Sequence, residues 1–350
     1  MLAVRWHNRR DVRLDEVDLE LPLSAGMVEA EVRFCGICGS DVGEYAHGPF
    51  AIRPGRTHRL SGQEPPVTLG HEFSARITAV GPGVTEVAVG DRVAADACWR
   101  CGVCAACRSG QYNLCPSSGS IGLCSDGAFA PLVRFPAYAA IPLSDDVSDE
   151  AGALLEPLAV GLHALDRGGA RAGERVVVLG YGPIGATTAA VGAAMGLDVT
   201  VSEPHPGRRA RAEAAGHAVI APSGTPREVA KHVRETVGEV RLVVDASGVP
   251  AALEAAPDMT VRGGTIVLVG LPKTPPAIDP ARQLVLYERT LVASLGYAHD
   301  LERVAAMIAA GALDAEALIT RRVGLEDVPG ELERLATDPG DDLKVLAEVG

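Results

Sequence analysis

No uninterrupted run of about 20 apolar residues, the length a helix needs to cross a bilayer, occurs anywhere in this 350-residue sequence. Its opening stretch, MLAVRWHNRRDVRLDEVDLE, also lacks the run of about 7 to 15 apolar residues that marks a secretory signal. Positive charge is in deficit: 32 Lys and Arg against 45 Asp and Glu leave a net charge of -13, which removes the basis for unspecific attraction to nucleic acid or anionic membrane. No period of about 20 to 50 residues recurs, and 40 Gly with 24 Pro stay below the level of a low-complexity chain. What remains is a soluble globular protein, expected in the cytoplasm, with a small-molecule partner. Its 47% hydrophobic residues suffice for a substantial core, and its length, at about 150 residues per domain, suits two domains.

Five of the eight cysteines fall between Cys98 and Cys115. In a long chain without a signal, clustered thiols point to metal rather than to disulfides. Cys101, Cys104, Cys107 and Cys115 form a Cys-x2-Cys-x2-Cys-x7-Cys array, which can close a tetrahedral zinc site with no open position, the mark of a structural metal. Cys98 and Cys124 read as small core or loop residues. A second set is dispersed: Cys38 in CGICGSD, His71 and Glu72 in LGHE, and Glu156 in LLEPLAVGLHA. Mixed soft and hard ligands with a position left open suit catalytic zinc. Read by periodicity alone, the same residues serve equally as a satisfied core histidine and buried thiols.

The first 145 or so residues read as strands and turns, with candidate strands at 28–34, 75–80 and 91–95 separated by turns such as Gly81-Pro82-Gly83. From about residue 150, helical segments alternate with short β-branched runs at 176–179, 199–202, 241–246 and 265–270, the pattern of a doubly wound parallel α/β sheet. Within it, Gly180-Tyr181-Gly182-Pro183-Ile184-Gly185 follows a strand and opens a helix, and Glu203 ends the next strand, completing a dinucleotide fingerprint. Gly180 makes the turn, Gly182 admits the pyrophosphate, and Gly185 lets helix and strand pack closely. Glu203 at the ribose position favours NAD, whereas Arg208, Arg209 and Arg211 close behind it would serve NADP. Beyond residue 291 a strand and two amphipathic helices, near 299–310 and 326–336, close the chain.

With CGICGSD, LGHE, the four-cysteine loop, LLEPLAVGLHA and GYGPIG in this order, the sequence resembles the zinc-dependent medium-chain alcohol dehydrogenases over essentially its whole length. The stretch 45–74 and the segments VSEP and ERTLVASLGYAHDLERV resemble the 2,3-butanediol dehydrogenases within that family. The resemblance implies a GroES-like, mostly β catalytic domain over 1–150 with the tail 291–350, and a Rossmann domain over 151–290. It implies two zinc ions, NAD, and a homodimer or homotetramer. Carried over, it makes Cys38 and His71 catalytic zinc ligands, with Glu72 or Glu156 as the third. Asp41 would orient His71, and Ser40 would bind the substrate oxygen and pass its proton outward. The implied reaction is hydride transfer between NAD and a small secondary alcohol, such as 2,3-butanediol or acetoin. Polyols and amino alcohols are the alternatives within the family, and a non-catalytic zinc- and dinucleotide-binding paralogue is the alternative outside it. Three positions depart from the family pattern: Gly43 stands where many relatives end a proton relay in histidine, Ala75 replaces a glycine, and Asp96-Ala97 replaces a Glu-Pro pair.

Overall fold

Period-two alternation in Met27–Gly36 buries Val28, Ala30 and Val32 on one face, and this strand is the hub of the first of two structural units. The computed structural model describes residues 1–19 and 22–350. The first unit comprises Met1–Glu156, Leu301–Gly340 and Lys344–Gly350, and the second Pro157–Asp300 with Asp341–Leu343.

In the first unit, Met27–Gly36 pairs antiparallel with Glu72–Val80, Leu132–Pro136 and Lys344–Glu348, inside a seven-stranded sheet. A second sheet of three strands is centred on Leu2–Asn8. Trp6, Phe73, Ile77 and Phe135 fill the core, with Phe73 and Phe135 meeting edge-on at 5.4 Å. Such fully buried side chains each contribute about 1.5–3 kcal/mol relative to exposure. Register places the site. Gly36 lies opposite Glu72 on one side and Leu346 on the other, so the strand that carries Lys344, 272 residues beyond Glu72, is set beside positions 36 and 72. The stretch after Cys38 forms a helix over Gly39–His47.

In the second unit, six parallel strands run in the order Ala218–Ile220, Asp198–Ser202, Arg175–Leu179, Val240–Asp245, Thr260–Leu268, Thr290–Ala293. The Val-rich runs of the three central strands, Asp198–Ser202, Arg175–Leu179 and Val240–Asp245, reflect burial on both faces, whereas the edge strand Thr290–Ala293 is largely exposed. One boundary needs correction. The strand Thr290–Ala293, placed in the tail from the sequence, pairs with Thr260–Leu268 as the sixth strand, so the return to the first unit comes at Leu301 instead of 291. The tail helices span Leu301–Ala309 and Val328–Thr337. Among the described residues, no helix is long and apolar enough to cross a membrane.

Candidate active site and metal centres

Cys38 caps the helix Gly39–His47, and its backbone N–H is held by the Asp41 carboxylate at 3.0 Å. An acid in the first turn also complements the helix dipole. This turn therefore fixes Cys38, Ser40 and Asp41 relative to one another. His71 and Glu72 come from the start of the neighbouring strand, and the ligand atoms of Cys38, His71 and Glu72 all lie within 4.8 Å of one another. Ser40 Oγ is 3.2 Å from His71 Nε2, and Asp41 Oδ1 stands 3.5 Å from His71 Nδ1.

Buried polar atoms normally find hydrogen-bond partners. Asp41 Oδ1, His71 Nδ1 and Glu72 Oε1 have none among the described residues. Burial disfavours a proton on His71, but the negative charges of Asp41 and Cys38 outweigh it and hold the imidazole well above its ordinary range. The field that attracts a proton there attracts a divalent cation equally, so these residues fit a zinc ion. Glu156 lies in the first turn of the helix Leu155–Arg167 and is not part of this three-residue cluster, although its charge reaches Lys344.

Lys344 is the residue that sequence reasoning missed. It is 1% exposed, forms an ion pair with Glu72 Oε2, and donates to the Ile37 carbonyl at 3.2 Å. The pair leaves Glu72 Oε1 as the free ligand atom. It also accounts for Gly36, where a Cβ would come within 2.3 Å of Glu72 Oε2.

The Sγ atoms of Cys101, Cys104, Cys107 and Cys115 also converge within 4.8 Å, and the four fit a structural zinc site. Backbone N–H groups of Val103 and Cys104 stabilise the Cys101 thiolate, drawing its pKa down to about 6. Burial instead pushes the spare thiols of Cys98 and Cys124 up to about 12, which keeps them protonated. The loop is pinned by Arg100, which pairs with buried Asp96 at 2.6 Å and lies 4.0 and 4.3 Å from the ring centres of Tyr112 and Tyr138.

In the second unit, the sequence fingerprint becomes a built pocket of about 500 Å³, lined among others by Gly180, Gly182, Pro183, Glu203, Arg208 and Ser247. Gly180 has φ +90°, and a Cβ on Gly185 would meet the Gly180 carbonyl oxygen at 2.1 Å, so neither position admits a side chain. Gly182 caps the helix Pro183–Ala194, in whose first turn Ile184 follows Pro183. The amides of that turn are available to a pyrophosphate. Glu203 is 4% exposed, and its two oxygens accept the N–H groups of Tyr181 at 2.6 Å and His205 at 2.7 Å. Each oxygen retains a second lone pair for a ribose hydroxyl. The three arginines separate: Arg209 donates to the carbonyls of Glu203 and Pro204, Arg211 pairs with Asp341, and Arg208 alone lines the pocket.

Two family models match the chain: an alcohol dehydrogenase GroES-like domain over residues 24–145 and a zinc-binding dehydrogenase over residues 183–310. The (R,R)-butanediol dehydrogenase of Bacillus subtilis is 35% identical over 330 residues, which cover 94% of each chain. A sorbitol dehydrogenase of the same organism is 30% identical, over 99% of this chain and 96% of its own. The crystal structure of 2R,3R-butanediol dehydrogenase from Bacillus subtilis superposes with a TM-score of 0.92 at 33% identity, covering 100% of this chain and 99% of that one. The chain belongs to the zinc-dependent medium-chain alcohol dehydrogenases. It is accordingly an oxidoreductase that employs zinc and a nicotinamide dinucleotide.

Proposed function

We propose that the protein interconverts a small vicinal diol and its hydroxyketone, with NAD as the hydride carrier and Cys38, His71 and Glu72 as the catalytic zinc ligands. The observation that carries this reading is the Cys38–His71–Glu72 cluster with Ser40 against His71, in a chain 35% identical to a butanediol dehydrogenase. When bound, zinc polarises the substrate oxygen and the dinucleotide accepts the hydride from the adjoining carbon. Ser40 takes the hydroxyl proton and passes it outward, since its Oγ stands against the ligand set. Asp41 holds Cys38 through its backbone and faces His71 with its other oxygen. Lys344 pairs with Glu72 Oε2 and turns the carboxylate to one side. Glu203 at the ribose end selects NAD, and Arg208 serves the phosphates.

Spectrophotometric NADH formation across a panel of diols, polyols and amino alcohols tests the proposal. The expected result is the highest kcat/KM on a four-carbon vicinal diol, with NAD preferred over NADP by about tenfold or more, or 1.4 kcal/mol. Highest activity on a hexitol would favour the sorbitol-type reading, and no activity on any member the non-catalytic one. A homodimer or homotetramer in the cytoplasm belongs to the same proposal. Exposed Val285, Leu286 and Leu295 near the outer strand of the second unit's sheet support the oligomer.

A side chain built at Gly43 meets nothing within 4 Å. Gly43→His should therefore fold, bind zinc and keep activity, with a rate equal to or above the parent near neutral pH, where histidine titrates. Proton-transfer help contributes roughly 10² to 10⁴-fold in enzymes generally, and water supplies part of it here. A folded, zinc-loaded variant that has lost turnover would show that the space at Gly43 admits substrate.

A further inference from the structure

Residues 51–67 fold against residues 116–124, the stretch leaving the four-cysteine loop, and together they line a cavity of about 410 Å³. It shares no residue with the Cys38 cluster or the dinucleotide pocket. Arg53, Arg56 and Arg59 line it, with Glu64 as the one acid. We propose that this cavity is an oxyanion-binding site, which takes a phosphate- or carboxylate-bearing small molecule through Arg53, Arg56 and Arg59.

The framework beneath the arginines is fixed. His58 N donates to Gln63 O at 2.7 Å and Gly62 N to His58 O at 2.9 Å, and Ser61 Oγ donates to Cys124 O at 2.5 Å. Gln63 and Asp126 exchange two hydrogen bonds, of 3.0 and 2.6 Å. Asp126 is a nearby acid, but Gln63, the Thr68 amide and Arg5 occupy it. Arg53, Arg56 and Arg59 make no ion pair or side-chain hydrogen bond to any described residue, in a chain with 45 acidic residues.

The chemistry follows from the groups. A guanidinium offers a planar fork of donors matched to carboxylate and phosphate oxygens, and three of them outweigh the single Glu64. Ser117 and Ser118 add hydroxyls to the wall. Burial lowers the pKa of His58, a backbone hydrogen bond at Ser118 opposes it, and the nearby charge of Arg53 adds to the lowering. The volume lies within the roughly 300–1,000 Å³ common for small-molecule sites.

The test is isothermal titration of the zinc-loaded protein, saturated with NAD so that the dinucleotide pocket is filled, with inorganic phosphate and, separately, citrate at constant ionic strength. The expected result is saturable binding of one anion per chain, weakened about tenfold or more when Arg53, Arg56 and Arg59 are all changed to Gln. Arg9→Gln, outside the cavity, should leave it unchanged. Binding of phosphate alone assigns a phosphate-bearing ligand and binding of citrate alone a carboxylate. Absence of saturable binding to either, or an affinity unaltered in the triple variant, overturns the proposal. Should the triple variant fail to fold, the single reversal Arg56→Glu gives the same reading by the same criterion.

Discussion

Cys38→Ser should abolish diol oxidation, by about 10⁴-fold or more in kcat, while the protein folds and keeps its structural zinc. The magnitude follows from the cooperation of catalytic groups, since removing one member of a unit costs nearly what removing all of them costs. The fold should survive because Cys38 contributes little to the core: it caps the helix Gly39–His47, whose first turn Asp41 continues to close. Cys104→Ser should behave in the opposite way, because a closed four-thiolate site contributes folding energy outright. Turnover by the metal-loaded variants, alongside circular dichroism, separates the two roles.

Lys344→Met should cost about 3–5 kcal/mol of stability, the usual penalty for stranding one member of a buried ion pair. Glu72, buried against Gly36, where its carboxylate leaves no room for a Cβ, would then lose its cationic partner. Lys344→Arg, which retains the charge, should lose less. Urea denaturation of the zinc-loaded proteins measures both, and a Lys344→Met midpoint equal to the parent's would show that the pair contributes nothing. The same substitution should impair zinc retention at the Cys38 cluster, since Glu72 loses the contact that orients it.

These two sites differ in how far the sequence revealed them. The four-cysteine loop and GYGPIG are contiguous, and their spacing alone specifies the geometry: thiols on one short loop, glycines where backbone must approach backbone. The catalytic cluster is assembled from positions 38, 71 and 72, and only family resemblance joined them beforehand. Lys344 had no sequence signal beyond a single cation in an apolar run, because its partner lies 272 residues away and the strand pairing that joins them is long-range. Local pattern was equally silent on Thr290–Ala293, whose β-branched and apolar residues suit either unit and whose place was decided by pairing. For the arginines after Glu203 the sequence showed three charges, but only the folded helix shows which one lines the pocket.

The account turns on two zinc ions with unequal roles, one held by four thiolates and one by Cys38, His71 and Glu72. Zinc analysis of purified Cys38→Ser beside the parent protein measures this directly. The account predicts close to two zinc ions per chain in the parent and close to one in the variant, with the fold unchanged. Two zinc ions retained in Cys38→Ser, or one in the parent, would contradict it.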